Sequence, residues 1–80
     1  MFPQLLAVKA VAPYKLQLRY DDGTEGLANL SHLAGRGVFK IWDEDDTFFQ
    51  VSIDPETNAL VWSDIADIDP DSLYLQIRGL

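Results

Sequence analysis

The chain has 80 residues, with 13 acidic and 6 basic side chains, a formal net charge of −7 and no cysteine. A chain of this length makes one small domain, residues 1–80, which buries roughly 60–65% of its unfolded surface. The lack of cysteine in the sequence excludes disulfide bonds, thiolate metal sites and a thiol nucleophile. Because an acidic surface repels nucleic acid and anionic lipid, neither is expected as a direct partner.

The amino terminus, Met1-Phe2-Pro3-Gln4, has neither the basic region nor the long apolar run of a secretory signal. The longest apolar run of the sequence has about four residues, whereas a membrane-spanning helix needs ~20. We therefore expect a soluble, cytoplasmic protein with no membrane partner.

The first half of the chain predicts a β-hairpin. Leu5 to Ala12 is rich in Val, Ala and Leu and ends at Pro13. Tyr14 to Tyr20 then alternates apolar and polar side chains, which is typical of a half-buried antiparallel strand. Asp21-Asp22-Gly23 is a hairpin turn signal because glycine supplies the positive φ of such turns, and residues 24–28 return as the next strand.

The middle of the chain predicts short helical turns. Residues 29–35 fit a single turn that is capped by Asn29 or Ser31 and ended by a glycine. Residues 37–42 fit a turn followed by a short helix or strand. Residues 43–47 predict a capped helix start, because carboxylates favour the first turn of a helix.

A second hairpin and a terminal helix complete the predicted elements. Residues 49–54 alternate with Phe49, Val51 and Ile53 inward, residues 55–58 form a turn, and residues 59–63 are the partner strand. Asp69 as the N-cap and Pro70 at the first helical position open the terminal helix. The predicted fold class is α+β, with two antiparallel β-hairpins forming a small sheet and short helices in the middle and at the C-terminus.

Charge is segregated along the chain. From residue 41 to residue 77 the sequence carries ten carboxylates and no Lys or Arg. Asp54 and Glu56 belong to a predicted turn, and Asp69 and Asp71 to a predicted helix start. Four adjacent acids exceed what one helix cap needs, and they are the candidate partner-binding residues: Asp43, Glu44, Asp45 and Asp46.

The sequence predicts no metal site or cofactor. Asp67, Asp69 and Asp71 match the spacing of the first three ligands of a calcium loop. The sixth position, however, is Ser72 where glycine is needed, and the twelfth is Arg78 where a bidentate Glu belongs.

No catalytic constellation is apparent either, so we expect that the protein is not an enzyme. The single histidine, His32, stands beside Ser31, and adjacent side chains on a helical turn point apart. A basic strand face is predicted from Lys15 and Arg19, and Lys9 belongs to the same face. Such a face serves solubility or pairs with acidic groups. Trp42 and Trp62 are expected in the core.

Residues from about 8 to 74 resemble the bacterial domain-of-unknown-function family numbered 2442. The resemblance is carried by Tyr14-Lys15-Leu16, Tyr20-Asp21-Asp22-Gly23, Leu30-Ser31-x-Leu33, Gly37-Val38-Phe39-Lys40 and a tail of Val61-Trp62-x-x-x-Ala66-Asp67-Ile68-Asp69-Pro70-Asp71-x-Leu73-Tyr74. The chain departs from the family at His32, where Pro is common, and at Gly26, which is a weak point or a bulge in the predicted strand.

The resemblance implies a small α+β domain whose tail motif is structural, formed by Trp62, Asp67, Asp69, Pro70, Leu73 and Tyr74. Some relatives carry a DNA-binding helix-turn-helix domain after this one, and others resemble partners in toxin–antitoxin pairs. No such second domain follows within the sequence given, so we expect no DNA-binding role.

The leading hypothesis is a non-enzymatic protein-interaction module that self-associates or binds a basic protein. The alternatives are an antitoxin-like member of a two-protein pair and a small carboxylate-dependent enzyme or cation binder.

Overall fold

A computed structural model describes residues 2–44, 46–62 and 66–79. The strands are β1 (Leu5–Ala12), β2 (Lys15–Tyr20), β3 (Glu25–Asn29), β4 (Ser52–Ile53), β5 (Leu60–Trp62) and β6 (Ala66–Ile68). Three short 3₁₀ helices, Ser31–Leu33, Gly37–Asp43 and Thr47–Gln50, connect β3 to β4, and helix α1 (Pro70–Arg78) ends the described chain.

The α+β class is confirmed, but the prediction of one small sheet is wrong. The described strands form two three-stranded antiparallel sheets, ordered β1-β2-β3 and β4-β5-β6. Each predicted hairpin gains a third strand, β1 in the first sheet and β6 in the second. Both strands are hard to recognise in the sequence, because β1 contains two register shifts and β6 has only three residues.

The first sheet has one buried and one exposed face, as the alternation of β2 predicts. Leu16, Leu18 and Tyr20 are fully buried, and their cross-strand neighbours complete the core face. The polar residues of β2 lie on the opposite face, where Lys9 pairs with Gln17 and Gln17 pairs with Leu27. This antiparallel sheet therefore contacts the core on one side and leaves the other side open.

The shifts in β1 place two extra residues, Leu6 and Val11, opposite the regular strand β2. Both side chains are exposed. The predicted bulge at Gly26 is wrong, because Gly26 pairs with Leu18 in unbroken register. The irregularity lies in the edge strand β1, where bulges are common.

The predicted turns of both hairpins are confirmed. Gly23 has a φ of 91° and donates its N–H to the Tyr20 carbonyl at 3.1 Å. Asn58 has a φ of 62° and donates its N–H to the Asp54 carbonyl at 2.8 Å. The turn between β1 and β2 is less usual, because Tyr14 adopts a φ of 62° without being glycine.

The three helical segments after β3 differ from the prediction in their bounds. The second one, Gly37–Asp43, spans the predicted turn and short helix over 37–42. The first 3₁₀ helix starts at Ser31, whose N–H is accepted by the Asn29 side chain at 2.9 Å. The third starts at Thr47, after Asp46 in the left-handed region, and has no side-chain cap. The acids at 43–46 therefore precede this helix and do not form its first turn.

The prediction of Phe49 as an inward strand residue is also wrong. Phe49 lies in the third 3₁₀ helix and is 46% exposed, whereas its neighbour Phe48 is buried. Only Ser52 and Ile53 form the strand, and Ile53 packs against the core.

Helix α1 packs against the core face of β3 at a glycine. A Cβ placed on Gly26 would stand 2.5 Å from Ile77 Cγ2, so the missing side chain is what lets the helix approach. Leu73 of the same helix is buried in the core. Helix α1 thus docks on the core through Leu73 and Ile77.

Two polar side chains fix the position of this helix. The Tyr20 hydroxyl donates to the Pro70 carbonyl at 2.7 Å, so this buried hydroxyl has its acceptor in the first turn of the helix. At the other end, the Asn29 N–H donates to Gln76 Oε1 at 2.6 Å, so Gln76 occupies part of the free edge of β3.

We predict that Gly26→Ala lowers the free energy of unfolding by about 1–3 kcal/mol, because the new methyl group overpacks against Ile77. In an Ile77→Ala background the same substitution should cost nothing or stabilise, because the colliding methyl is gone and alanine reduces the entropy of the unfolded chain. Urea unfolding of the four proteins in this double-mutant cycle measures the coupling. Additive losses would contradict the proposed packing.

Tyr20 also predicts a dependence of stability on alkaline pH. Burial, with the nearby Asp71 and Asp69 charges, raises the pKa of the Tyr20 hydroxyl. Its stabilising contribution is therefore complete below pH ~10, the unfolded-state pKa, and is lost as pH rises toward the folded-state pKa, at up to about 1.4 kcal/mol per pH unit. Tyr20→Phe should cost about 1 kcal/mol at pH 7.

The stability difference between wild type and Tyr20→Phe should therefore shrink between pH 7 and pH 11 in parallel urea titrations. Ile53→Val is the control, because it removes one methyl group packed against the core and no ionisable group, so its cost should be the same at both pH values. An unchanged difference at pH 11 would show that Tyr20 ionises alike in both states.

Candidate protein-interaction site

An aromatic cluster lies where the two sheets meet, and it is formed by Tyr14, Phe39, Trp42, Phe48 and Trp62. The ring centroids of Trp42 and Trp62 are 5.1 Å apart, and Phe48 lies 5.1 Å from Trp42 and 5.9 Å from Trp62. Trp42 and Trp62 are 4% and 0% exposed, which confirms both as core residues. Aromatic pairs of this kind contribute ~0.5–1.5 kcal/mol each beyond the area they bury.

Trp62 also joins the second sheet to the third 3₁₀ helix. Its Nε1–H donates to the Phe48 carbonyl at 2.9 Å. Trp42 Nε1 is buried and has no hydrogen-bond acceptor among the described residues. The cluster therefore holds Phe39, Trp42 and Phe48 by ring packing, and Phe48 also through the bond from Trp62 Nε1–H to its carbonyl.

The acidic segment, residues 43–46, directly follows Trp42 of this cluster in the sequence. Asp43 ends the second 3₁₀ helix, and the side chains of Asp43, Glu44 and Asp46 are all exposed. The Glu44 carbonyl accepts the Thr47 N–H at 2.8 Å, and Asp46 has a φ of 59°. The fourth candidate residue, Asp45, lies outside the described residues.

Asp43 has a partner that the sequence did not reveal. The Tyr14 hydroxyl donates to Asp43 Oδ1 at 2.6 Å, across 29 positions of sequence. This bond, with burial and the Asp43 charge, raises the pKa of the Tyr14 hydroxyl. It also anchors the acidic segment at the end of the β1–β2 hairpin. No local pattern signals such a contact, since the two residues lie in different elements.

The tail motif has the structural positions that the resemblance implies. Asp69 is the N-cap of α1, and its Oδ1 accepts the Asp71 N–H at 3.0 Å, while Pro70 occupies the first turn. Trp62 and Leu73 are buried. Asp67 is exposed on β6, paired with Val61.

Tyr74 of this motif attaches α1 to the β2–β3 turn. Its hydroxyl donates to Asp22 Oδ2 at 2.6 Å, and its ring packs edge-on against Tyr20 at 5.0 Å. The bond from Tyr74, with a further one from the Thr24 N–H, lowers the pKa of the Asp22 carboxyl. The conspicuous tail residues thus stabilise the fold, Asp67 being the exposed exception.

The basic face is the outer side of the first sheet, and it is defined by Lys9, Lys15, Arg19 and Leu27. All four side chains are exposed, and Leu27 is 57% exposed. Strand pairing places them together, since Lys9 and Leu27 lie on either side of Gln17, and Lys15 and Arg19 flank Gln17 on β2. The predicted basic strand face is confirmed as one surface.

Within the described ranges, no group of three or more His, Cys, Asp or Glu side chains is placed to hold a metal ion. His32 is exposed in the last turn of a short 3₁₀ helix. None of the helices in the described part of the chain is both long and apolar enough to cross a membrane.

We predict that Asp43→Asn lowers the pKa of the Tyr14 hydroxyl toward its ordinary value, because the anionic acceptor is the largest cause of its increase. Absorbance of tyrosinate during a pH titration measures this, and a Tyr14→Phe sample identifies the Tyr14 signal by difference. Glu44→Gln is the matched control and should leave the titration unchanged. An equal effect of both substitutions would exclude the Tyr14–Asp43 bond as the cause.

A family model described as a protein of unknown function (DUF2442) matches residues 5–79. No curated protein and no solved structure matches the chain. The matched range includes every described strand, the acidic segment and helix α1. The chain therefore belongs to the DUF2442 family of proteins of unknown function.

Proposed function

We propose that this protein is a non-enzymatic, cytoplasmic interaction module whose acidic segment binds a basic surface on a protein partner. The observation that carries the proposal is the attachment of an exposed acidic segment to a rigid support. Asp43 is bonded to Tyr14, and the adjacent Trp42 is packed in the aromatic cluster. The carboxylates of residues 44–46 follow directly from this anchored point.

Anchoring matters because association costs free energy for every side chain and loop that becomes ordered. A segment that is already held at Asp43 loses less conformational entropy on binding than a free acidic loop. Carboxylates of this kind act mainly on the rate of association, since opposite charges on the partner steer the encounter. The partner surface is therefore expected to be rich in Lys and Arg.

Three acids outside the segment differ from it in their surroundings. Asp22 accepts hydrogen bonds from Tyr74 and Thr24, Asp54 bonds the Glu56 N–H, and Asp69 caps α1. These three carboxylates are engaged in turns and helix capping. Within the described ranges, Glu44 and Asp46 are exposed, and the Asp46 side chain does not cap the 3₁₀ helix that follows it.

We predict that Glu44→Lys with Asp46→Lys slows association with the basic partner at least about tenfold. Two carboxylates that attract the partner's cations are replaced by ammonium groups that repel them. Asp43 is left unchanged so that its bond to Tyr14 persists. The measurement is capture by the tagged protein from a lysate of its own source, followed by association rates for each captured protein at about 0.1 M and 1 M salt.

The matched control is Glu56→Lys with Asp67→Lys. It changes the net charge by the same amount at two other exposed acids. A basic protein that is lost with the first variant and retained with the second supports the proposal. If no captured protein discriminates between the two variants and no self-association does so either, the acidic segment is not a binding site.

A further inference from the structure

The outer face of the first sheet has no cover within the described chain. Leu27 lies on this face at 57% exposure, and the two extra residues of the edge strand β1, Leu6 at 49% and Val11 at 46%, are exposed as well. Exposed apolar side chains on an open sheet are typical of contact surfaces. Here Leu27 lies among the cations of the basic face.

We propose that this face binds the acidic segment of a second copy of the chain, so that the protein forms a two-fold dimer with two reciprocal contacts. The inference rests on the proposed function, because it uses the acidic segment as the binding element, and it names the partner surface. The observation that supports it is that one copy presents both an exposed basic face and an exposed acidic segment, the latter anchored by Asp43 at the β1–β2 turn.

Charge complementarity favours a second copy as the occupant. The basic face presents Lys9, Lys15 and Arg19, with Glu25 as the acid opposite Arg19. The acidic segment contributes four carboxylates to the sequence. Two basic faces stacked on each other would oppose cations with cations, so a simple face-to-face dimer is disfavoured.

Two-fold symmetry satisfies both surfaces of each copy. The bond between Tyr14 and Asp43 anchors the acidic segment at the β1–β2 turn, and the basic face is the outer side of the sheet that contains this hairpin. Each copy therefore carries one surface of each kind. In a two-fold dimer each acidic segment contacts the other copy's basic face, and this reciprocal arrangement is closed, whereas one contact per pair of copies would propagate an open chain.

The free edges of the first sheet are less suited to this role. Gln76 bonds the backbone of Asn29 on β3, and β1 is interrupted by its two register shifts. Pairing of a strand from another copy needs a regular, unblocked edge. The outer face is the larger uncovered surface of this sheet.

Net charge sets the conditions for the test. Each copy carries −7, which opposes association at long range, whereas the contacts act at short range. At about 0.1 M salt the screening length is ~10 Å, so repulsion between distant charges is reduced while opposite charges in contact still attract. At 1 M salt the screening length is ~3 Å, and the attraction between contacting charges is weakened too. The dimer is therefore expected at 0.1 M and should weaken at 1 M.

The experiment uses sedimentation equilibrium of the full chain with two charge-reversed variants. Lys9→Glu with Lys15→Glu reverses the basic face, and Glu44→Lys with Asp46→Lys reverses the acidic segment. Each variant alone should dissociate at least about tenfold more readily than wild type, since both of its contacts become repulsive. An equimolar mixture of the two should recover a dimer, because each contact of the mixed pair again joins opposite charges.

Two controls separate the proposal from general charge effects and from misfolding. Glu56→Lys with Asp67→Lys should retain the dimer, and Leu27→Ser should weaken it without any change in charge. Circular dichroism confirms that each variant folds, and recovery in the mixture cannot arise from unfolded chains.

Three outcomes overturn the inference: a monomer at every concentration, a dimer that both reversals leave intact, or variants that fail to recover on mixing. A wild-type monomer that still captures a basic protein through residues 44–46 would refute the dimer and leave the proposed function standing.

Discussion

The packing of Trp42, Phe48 and Trp62 is the interaction on which the rest of the structure depends. The strands of the second sheet have only two or three residues each, too few to be stable as isolated strands. They are held because Trp62 packs into the aromatic cluster and donates to the Phe48 carbonyl. The same cluster determines where the chain emerges at Asp43, so core packing directly positions the acidic segment.

A second group of contacts fixes helix α1 and thereby decides which surfaces stay open. Tyr20 donates to a carbonyl in the first turn of α1, Gln76 bonds the backbone of Asn29 at the end of β3, and Ile77 fills the space beside Gly26. These contacts cover the core face of the first sheet and one end of its β3 edge. The basic face on the opposite side and the acidic segment at the hairpin end remain exposed, and both proposals concern these two surfaces.

The sequence predicted those parts of the fold that depend on neighbouring residues. The alternation of β2, the glycine turn at Gly23, the turn over residues 55–58 and the start of α1 at Asp69 were all confirmed. Prediction failed where the local pattern was short or irregular. The two register shifts in β1 break the alternation of its side chains. Phe49 belongs to a 3₁₀ helix and not to the predicted strand, so its side chain is exposed and that of Phe48 is buried.

By itself, the sequence determined the α+β class, the segregation of charge and the basic strand face, because periodicity and charge are properties of adjacent residues. Only the tertiary structure decided that the strands divide into two sheets and that Asp43 is tied to Tyr14. The Tyr14–Asp43 bond joins residues 29 positions apart, and the Tyr20–Pro70 bond that holds α1 joins residues 50 positions apart. Core packing selects such contacts, and no local pattern encodes them.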